Sequence, residues 1–86
     1  MAYRIEYLRR AAREILNLDP VQQQKIIEAI EALAKNPRPV GIQSMHGKYK
    51  NHYRLRVGDY RVIYEVNDSG QVVQIVRVGH RREVYR

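Results

Sequence analysis

An α+β fold, with two helices packed on one face of a small sheet, is predicted by three features of the sequence. Residues 3–7 alternate apolar and polar side chains, as a short strand does. Two amphipathic helical segments follow, over residues 8–18 and 20–35. Period-two apolar runs then predict a meander of three strands, over residues 53–57, 60–66 and 71–78. We expect residues 1–86 to form a single domain.

The two helical segments are separated by a short break at Asp19 and Pro20. Asp19 suits an N-cap, Pro20 suits the first helical position, and Gln22 stands where a capping box needs its second residue. The second helix is expected to end near Lys35, because the next residue, Asn36, precedes a proline and so avoids the helical conformation. So short a connection predicts that the two helices fold back as an antiparallel hairpin.

The charge of the chain points to an anionic partner. Its 86 residues carry a formal net charge of +7 at pH 7, which favours RNA, DNA, the ribosome surface or an acidic protein. A pair of helices in a basic protein could also be a DNA-reading motif. Glu28 and Glu31 argue against that reading, because they lie on the outward face of the second helix and would repel phosphates.

Signals for cysteine chemistry, metal binding and membrane insertion are missing from the sequence. The chain has no cysteine, and no two of its histidines have the spacing of metal ligands. Its first residues lack the apolar core of a signal peptide, and no stretch approaches the roughly 20 apolar residues that span a membrane. We therefore expect a cytoplasmic protein that needs no metal or other cofactor and does not associate with membranes.

A two-residue hairpin turn is predicted at Gly58 and Asp59, between the first two strands of the meander. Glycine in the first position is what a type II′ turn requires. This turn makes Arg56 the partner of Arg61. Because side chains alternate along a strand, Arg54, Arg56 and Arg61 share one face, away from the apolar positions.

A fourth arginine, Arg77, is predicted on the same face. If residues 68–70 form the next loop, Arg77 lies directly opposite Arg61. It would then extend the basic surface. The alternative is that Arg77 forms a surface ion pair with Glu65.

A row of arginines on one sheet face calls for a bound anion. Like charges directly opposite one another destabilise paired strands, so a nucleic-acid backbone is the most economical explanation. Guanidinium groups match phosphate oxygens in pairs, and several together can stabilise the extra charge of a phosphoryl transition state. The alternative is an ordinary exposed face, on which the long aliphatic stems cover apolar surface.

Basic and aromatic side chains flank this face in the sequence. Tyr85 could stack on a base, an interaction typically worth ~1–3 kcal/mol per base, or it could simply pack on the sheet. His80 is a candidate acid–base group, because histidine is the residue type that ordinarily serves in this role at neutral pH, although a lone histidine beside arginines is more often a contact. The flanking candidates for binding RNA or phosphate are Lys48 and Lys50 in the loop before the sheet, and His80, Arg81 and Tyr85 after it.

At these residues the chain resembles the RelE/ParE superfamily of toxins from bacterial and archaeal toxin–antitoxin systems. The resemblance covers nearly the whole chain, and its most specific segments are residues 53–66 and 76–85. It implies the RelE-like microbial RNase fold. It also implies that the chain is the toxin of a type II module and works with a cognate antitoxin, RelB-like or similar, in a hetero-oligomer.

For a RelE-type member, the resemblance implies cleavage of messenger RNA in the ribosomal A site. The 2′-hydroxyl of the RNA attacks the adjacent phosphate, with no metal. Arg54 and Arg56 stand where the family has paired strand lysines, and Arg61 where it has a phosphate-stabilising arginine. Arg81 matches the general acid, and Tyr85 matches the C-terminal tyrosine that stacks on a base.

The position of Arg56 departs from the family pattern. One strand lysine is expected to act as general base, and an arginine is a poor base because it stays protonated. Either Arg56 acts by its charge, or the proton goes to Lys48, Lys50, His80 or a ribosomal group. A slower or more ribosome-dependent enzyme would follow.

Two other functions are compatible with the sequence. A ParE-type relative would bind and inhibit DNA gyrase without nuclease activity, and a basic RNA-binding module would have no activity at all. Retention of Arg61, Arg81 and Tyr85 favours the nuclease.

Overall fold

The computed structural model of the protein describes residues 2–45, 47 and 51–80. They form two helices and a five-stranded sheet, which confirms the predicted α+β fold. In chain order the elements are β1 (Arg4–Tyr7), α1 (Arg9–Leu16), α2 (Pro20–Ala32), β2 (Gln43–Ser44), β3 (His52–Val57), β4 (Tyr60–Asn67) and β5 (Val72–His80).

The start of α2 is as the sequence predicts, and its end comes earlier. The Asp19 carboxylate accepts a hydrogen bond from the Gln22 backbone N–H at 3.0 Å, and Pro20 is the first helical residue. The predicted end near Lys35 was wrong by one turn. The backbone N–H groups of Leu33 and Lys35 bond to carbonyls three residues back, so the last turn tightens beyond Ala32.

The sheet has the strand order β1-β5-β4-β3-β2. Strands β3, β4 and β5 form the predicted antiparallel meander, and β1 adds to β5 in parallel. The segment before the meander, for which the sequence predicts a loop over residues 38–51, also contains a short strand, because β2 pairs there with β3 through Gln43 and Arg54. Two residues are too few to leave a period-two pattern in the sequence.

The register of the β3–β4 hairpin is confirmed. Val57 pairs with Tyr60 and Arg56 pairs with Arg61. Gly58 has a φ of 60°, whereas Asp59 is not among the residues with positive φ. This is the combination that a type II′ turn requires.

The predicted register between β4 and β5 was wrong by two residues. Arg61 pairs with Gly79, and Arg77 pairs with Ile63. One residue of the shift comes from Gln71, which stays in the turn with a φ of 54°. The other comes from a β-bulge in β5, where Val76 is the extra residue between the partners of Ile63 and Tyr64.

The core lies between the helices and one face of the sheet. Ile26 and Ile30 of α2 are fully buried against it, and Ala11 and Ile15 supply the buried stripe of α1. Helix-facing strand residues complete this layer: Val62, Tyr64, Val73, Ile75 and Val78. The opposite face of the sheet is therefore left for contacts outside the core.

A polar cluster ties the segment after α2 to one end of the sheet. The Arg38 guanidinium makes two hydrogen bonds to Asp68, at 3.0 and 2.9 Å, and a third to the Tyr53 hydroxyl at 2.9 Å. The Tyr3 hydroxyl donates to the same carboxylate at 2.7 Å. These hydrogen bonds lower the pKa of Asp68, and those from Arg38 have the largest effect. Next to them, burial raises the pKa of Tyr64 to about 12, and its hydroxyl donates to a backbone carbonyl at 2.7 Å.

Replacing Asp68 by asparagine should lower the thermal midpoint at pH 7, because Arg38 then loses its anionic partner. A carboxylate whose pKa is lowered on folding contributes its full stabilisation of the folded protein when the pH is above its ordinary pKa, which is 3.8 for Asp68. This contribution is lost as the pH falls through the lower pKa of the folded state. The gap between wild type and Asp68→Asn should therefore close below about pH 3.8.

Circular dichroism melts at several pH values would measure this gap, with Asp59→Asn as the control. Asp59 is exposed in the hairpin turn. A gap that stays constant down to the lowest pH would contradict the role of the Arg38 ion pair.

Candidate nucleic-acid interface

Three arginines converge on the sheet face that the helices leave uncovered. Arg56 of β3 and Arg61 of β4 are direct cross-strand partners next to the hairpin turn, and Arg54 lies two residues further along β3. Together with Gly41 and Gln43 they line an open cleft of about 200 Å³. The prediction that Arg54, Arg56 and Arg61 share one face is confirmed.

Arg56 and Arg61, at the hairpin end, form no ion pair with a carboxylate of the described residues. The Arg56 guanidinium donates to the Gly58 carbonyl at 3.3 Å, and that of Arg61 donates weakly to the Tyr60 carbonyl at 3.4 Å. Two like charges therefore stand side by side with most of their donors available to a bound anion.

The same sheet face becomes acidic toward its other end. Glu65 pairs in register with His52 on one side and with Gln74 on the other, and the His52 Nε2 lies 3.8 Å from its carboxylate. Glu6 lies beside Gln74 on β1 and forms an ion pair with Arg4 at 2.9 Å. An anionic ligand is thus favoured at the hairpin end and repelled from the far end.

Arg77 is placed differently from the prediction. It is only 6% exposed, and its guanidinium donates to the Glu14 carboxylate of α1, with the closest contact at 3.0 Å. The expected partners, Arg61 across the strands or Glu65 as an ion pair, were both wrong. An RNA contact by Arg77 remains a prediction, and its burial and bonding favour a structural role.

His80 is the last residue of β5, and it pairs with Tyr60. The two rings meet edge to face, with centroids 5.8 Å apart. Because Gly79 is the partner of Arg61, strand alternation directs His80 toward the helix side of the sheet. It does not join the arginine cluster, so its proposed contact with RNA stays a prediction that this placement disfavours.

The other predicted site residues lie outside the described part of the chain. They are Lys48 and Lys50 in the loop before β3, and Arg81 and Tyr85 after β5. Their roles remain those that the family resemblance implies.

The sequence reasoning missed two side chains next to the site. Gln43 brings an amide to the cleft beside Arg54, because the short strand β2 pairs with β3. Glu14 binds the end of β5 from α1. A glutamate in an amphipathic helix gives no sequence signal of such a contact, since most glutamates at such positions face solvent.

The described site is suited to binding a phosphodiester and stabilising added negative charge. Arginine forks donate in pairs to phosphate oxygens, and positioned cations stabilise charge that develops in a transition state. Arginines do not accept protons at neutral pH, so proton transfer needs other groups. Within the described segments, no group of three His, Asp or Glu side chains is arranged to hold a metal ion.

Comparison with known proteins places this architecture in a family. A family model described as the ParE toxin of type II toxin-antitoxin system, parDE, matches residues 5–85. Toxin RelG of Mycobacterium tuberculosis is 30% identical, and the match covers 100% of this chain and 99% of RelG. The mRNA interferase toxin RelE of Escherichia coli K12 is also 30% identical, with coverage of 99% and 92%.

The fold is shared as well. One chain of the crystal structure of the toxin-antitoxin complex RelBE2 from Mycobacterium tuberculosis superposes with a TM-score of 0.85 at 25% identity. The superposition covers 96% of this chain and 95% of that chain. The resemblance seen in the sequence is thus confirmed, and the chain belongs to the RelE/ParE superfamily of type II toxin–antitoxin toxins.

Proposed function

We propose that this toxin is an mRNA endoribonuclease that works on the ribosome and cuts A-site codons. The carrying observation is the cluster of Arg54, Arg56 and Arg61, which lines one cleft at the hairpin end of the sheet. The name of the relative from Escherichia coli, mRNA interferase toxin RelE, supports the same activity. A ribonuclease also explains why two arginines stand opposite each other with no carboxylate partner among the described residues.

In the proposed reaction, the RNA supplies the nucleophile. The 2′-hydroxyl oxygen bonds to the adjacent phosphorus, and the bond from phosphorus to the 5′-oxygen of the next nucleotide breaks. The products are a 2′,3′-cyclic phosphate and a free 5′-hydroxyl. Arg56 and Arg61 stabilise the added charge on the phosphate oxygens during this step, while Arg54 binds the backbone beside them.

Two protons have to move in this reaction. By its match to the family, Arg81 gives one to the departing 5′-oxygen, and Tyr85 stacks on a base to hold the nucleotide in line. The 2′-hydroxyl must lose the other proton. Arg56 cannot accept this proton, because an arginine stays protonated. Strand alternation directs His80 to the helix side of the sheet, away from the arginine cluster. Lys48, Lys50 or a ribosomal group therefore remains as the acceptor.

A cognate antitoxin is the expected protein partner. The structural relative from Mycobacterium tuberculosis is a toxin–antitoxin complex, and a strongly basic toxin suits an acidic partner. We place the module in the cytoplasm, where ribosomes are. No helix in the described residues is long and apolar enough to cross a membrane.

Inhibition of DNA gyrase is the second candidate function. It is favoured by one observation, the description of the matching family model as a ParE toxin. In that case the arginine face would be a docking surface. The relatives named RelE and RelG favour the nuclease over this alternative.

Primer extension on a defined messenger RNA tests the function. Purified protein with programmed ribosomes should produce cuts within A-site codons, and omission of ribosomes or the change Arg81→Ala should remove them. The contradicting result has two parts. The wild-type protein would not cut RNA, and the Arg81→Ala variant would still inhibit gyrase supercoiling. Together these results would move the toxin to the ParE class.

A separate prediction concerns residue 56, where this chain has an arginine and the family has a lysine. Arg56→Lys should keep the cleavage rate or raise it by up to about tenfold, because a lysine keeps the positive charge and can also accept a proton. The rate on programmed ribosomes, followed as a function of pH, measures this. Lys25→Arg on the exposed face of α2 is the control. Complete loss of cleavage in Arg56→Lys would refute the proposed role of residue 56.

A further inference from the structure

On the edge that faces β1, the end of β5 is held by a side chain of α1. β1 pairs with β5 only as far as Tyr7 and Ile75, and the Leu8 N–H makes the last of these backbone bonds, to the Ile75 carbonyl at 2.9 Å. Beyond that point, no strand of the described residues pairs with this edge of β5. There the Glu14 carboxylate accepts a hydrogen bond from the Val78 backbone N–H at 2.9 Å.

The same carboxylate binds the residue that follows the bulge. The Arg77 guanidinium donates to Glu14 at 3.1 and 3.0 Å, and the two side chains are only 7% and 22% exposed. A partly buried ion pair adds little net stability, and its best-attested use is to fix a register. The Glu14–Arg77 ion pair lies beside Val76, the extra residue at which the register of β5 against β4 changes.

This register decides what lies next to the arginine cluster. Because of the shift, Gly79 is the partner of Arg61, and a glycine itself brings no side chain to the position beside the guanidinium. The chain then continues from His80 into Arg81, the predicted general acid. If the bulge were lost, a different residue of β5 would face Arg61, and Arg81 would follow from a different point.

We propose that Glu14 is a positioning residue for RNA cleavage. By holding Arg77 and the Val78 N–H, it fixes the register of the end of β5 against Arg61 and the starting point of the segment that carries Arg81. Small misplacements of catalytic groups can reduce rates by up to about 100-fold. The inference rests on the proposed ribonuclease function. It adds to the cleavage site a residue of α1, Glu14, which lies at the edge of β5 and not among the arginines.

Single-turnover cleavage on programmed ribosomes, at several ribosome concentrations, tests this proposal. Glu14→Ala should lower the maximal rate by about 10- to 100-fold and leave the half-saturating ribosome concentration within about twofold, because Arg54, Arg56 and Arg61 lie on β3 and β4, whose pairing does not involve Glu14. Amide hydrogen exchange provides an independent readout. The Val78 N–H should exchange faster in the variant, while the amides of α2 stay protected.

Two further variants sharpen the experiment. Glu14→Gln keeps an oxygen for the Val78 N–H but loses the charge that pairs with Arg77, so its rate should fall between those of Glu14→Ala and wild type. It also decides the question if Glu14→Ala does not fold. Glu28→Ala is the matched control. Glu28 is exposed on α2, and its carboxylate accepts a hydrogen bond from the Gln24 side chain at 3.3 Å. This variant should cleave at the wild-type rate.

An unchanged maximal rate with faster exchange at Val78 would overturn the inference, and so would a uniform loss of protection across the whole fold in both Glu14→Ala and Glu14→Gln. In both cases an active wild type would leave the ribonuclease function standing. A wild type that does not cut on ribosomes would instead contradict the proposed function, and the inference with it.

Discussion

The register of the β3–β4 hairpin is the constraint on which the rest of the molecule depends. Gly58, with its positive φ, permits a two-residue turn, and the turn makes Arg56 the partner of Arg61. A slip of one residue would exchange the two faces of β3 or β4. It would bury arginines against the helices and expose Val62 and Tyr64, which now have no exposed surface. One glycine therefore links the hydrophobic core to the chemistry of the outer face.

The structure separates the sources of stability from the site. The helices cover one face of the sheet, and the Arg38–Asp68 ion pair with Tyr3 and Tyr53 fastens the far end. The hairpin end carries facing arginines instead, at an electrostatic cost to the sheet. Residues that lower the stability of the fold, as these arginines do, are expected at functional sites. A bound phosphodiester would relieve this repulsion, which is why the cluster indicates a ligand.

The parts of the fold that were predicted correctly have strong local signals. Asp19 before Pro20 marks the start of α2, and Gly58-Asp59 sets the hairpin register and with it the arginine face. The register of β5 could not be predicted, because Gln71 adopts a left-handed conformation and Val76 forms a bulge. Neither residue type favours such a position. The roles of Glu14 and Arg77 depend on that register, so only the tertiary structure reveals them.

The account is tested most directly by comparing two arginines on the same sheet face. Arg61 lies in the cluster, and Arg4 lies at the acidic end, paired with Glu6. The measurement is the maximal rate of mRNA cleavage on programmed ribosomes for Arg61→Ala and Arg4→Ala. The account predicts a fall of about 10²- to 10³-fold for Arg61→Ala and a rate near that of wild type for Arg4→Ala. Equal rates for the two variants would contradict the assignment of the arginine cluster as the site of cleavage.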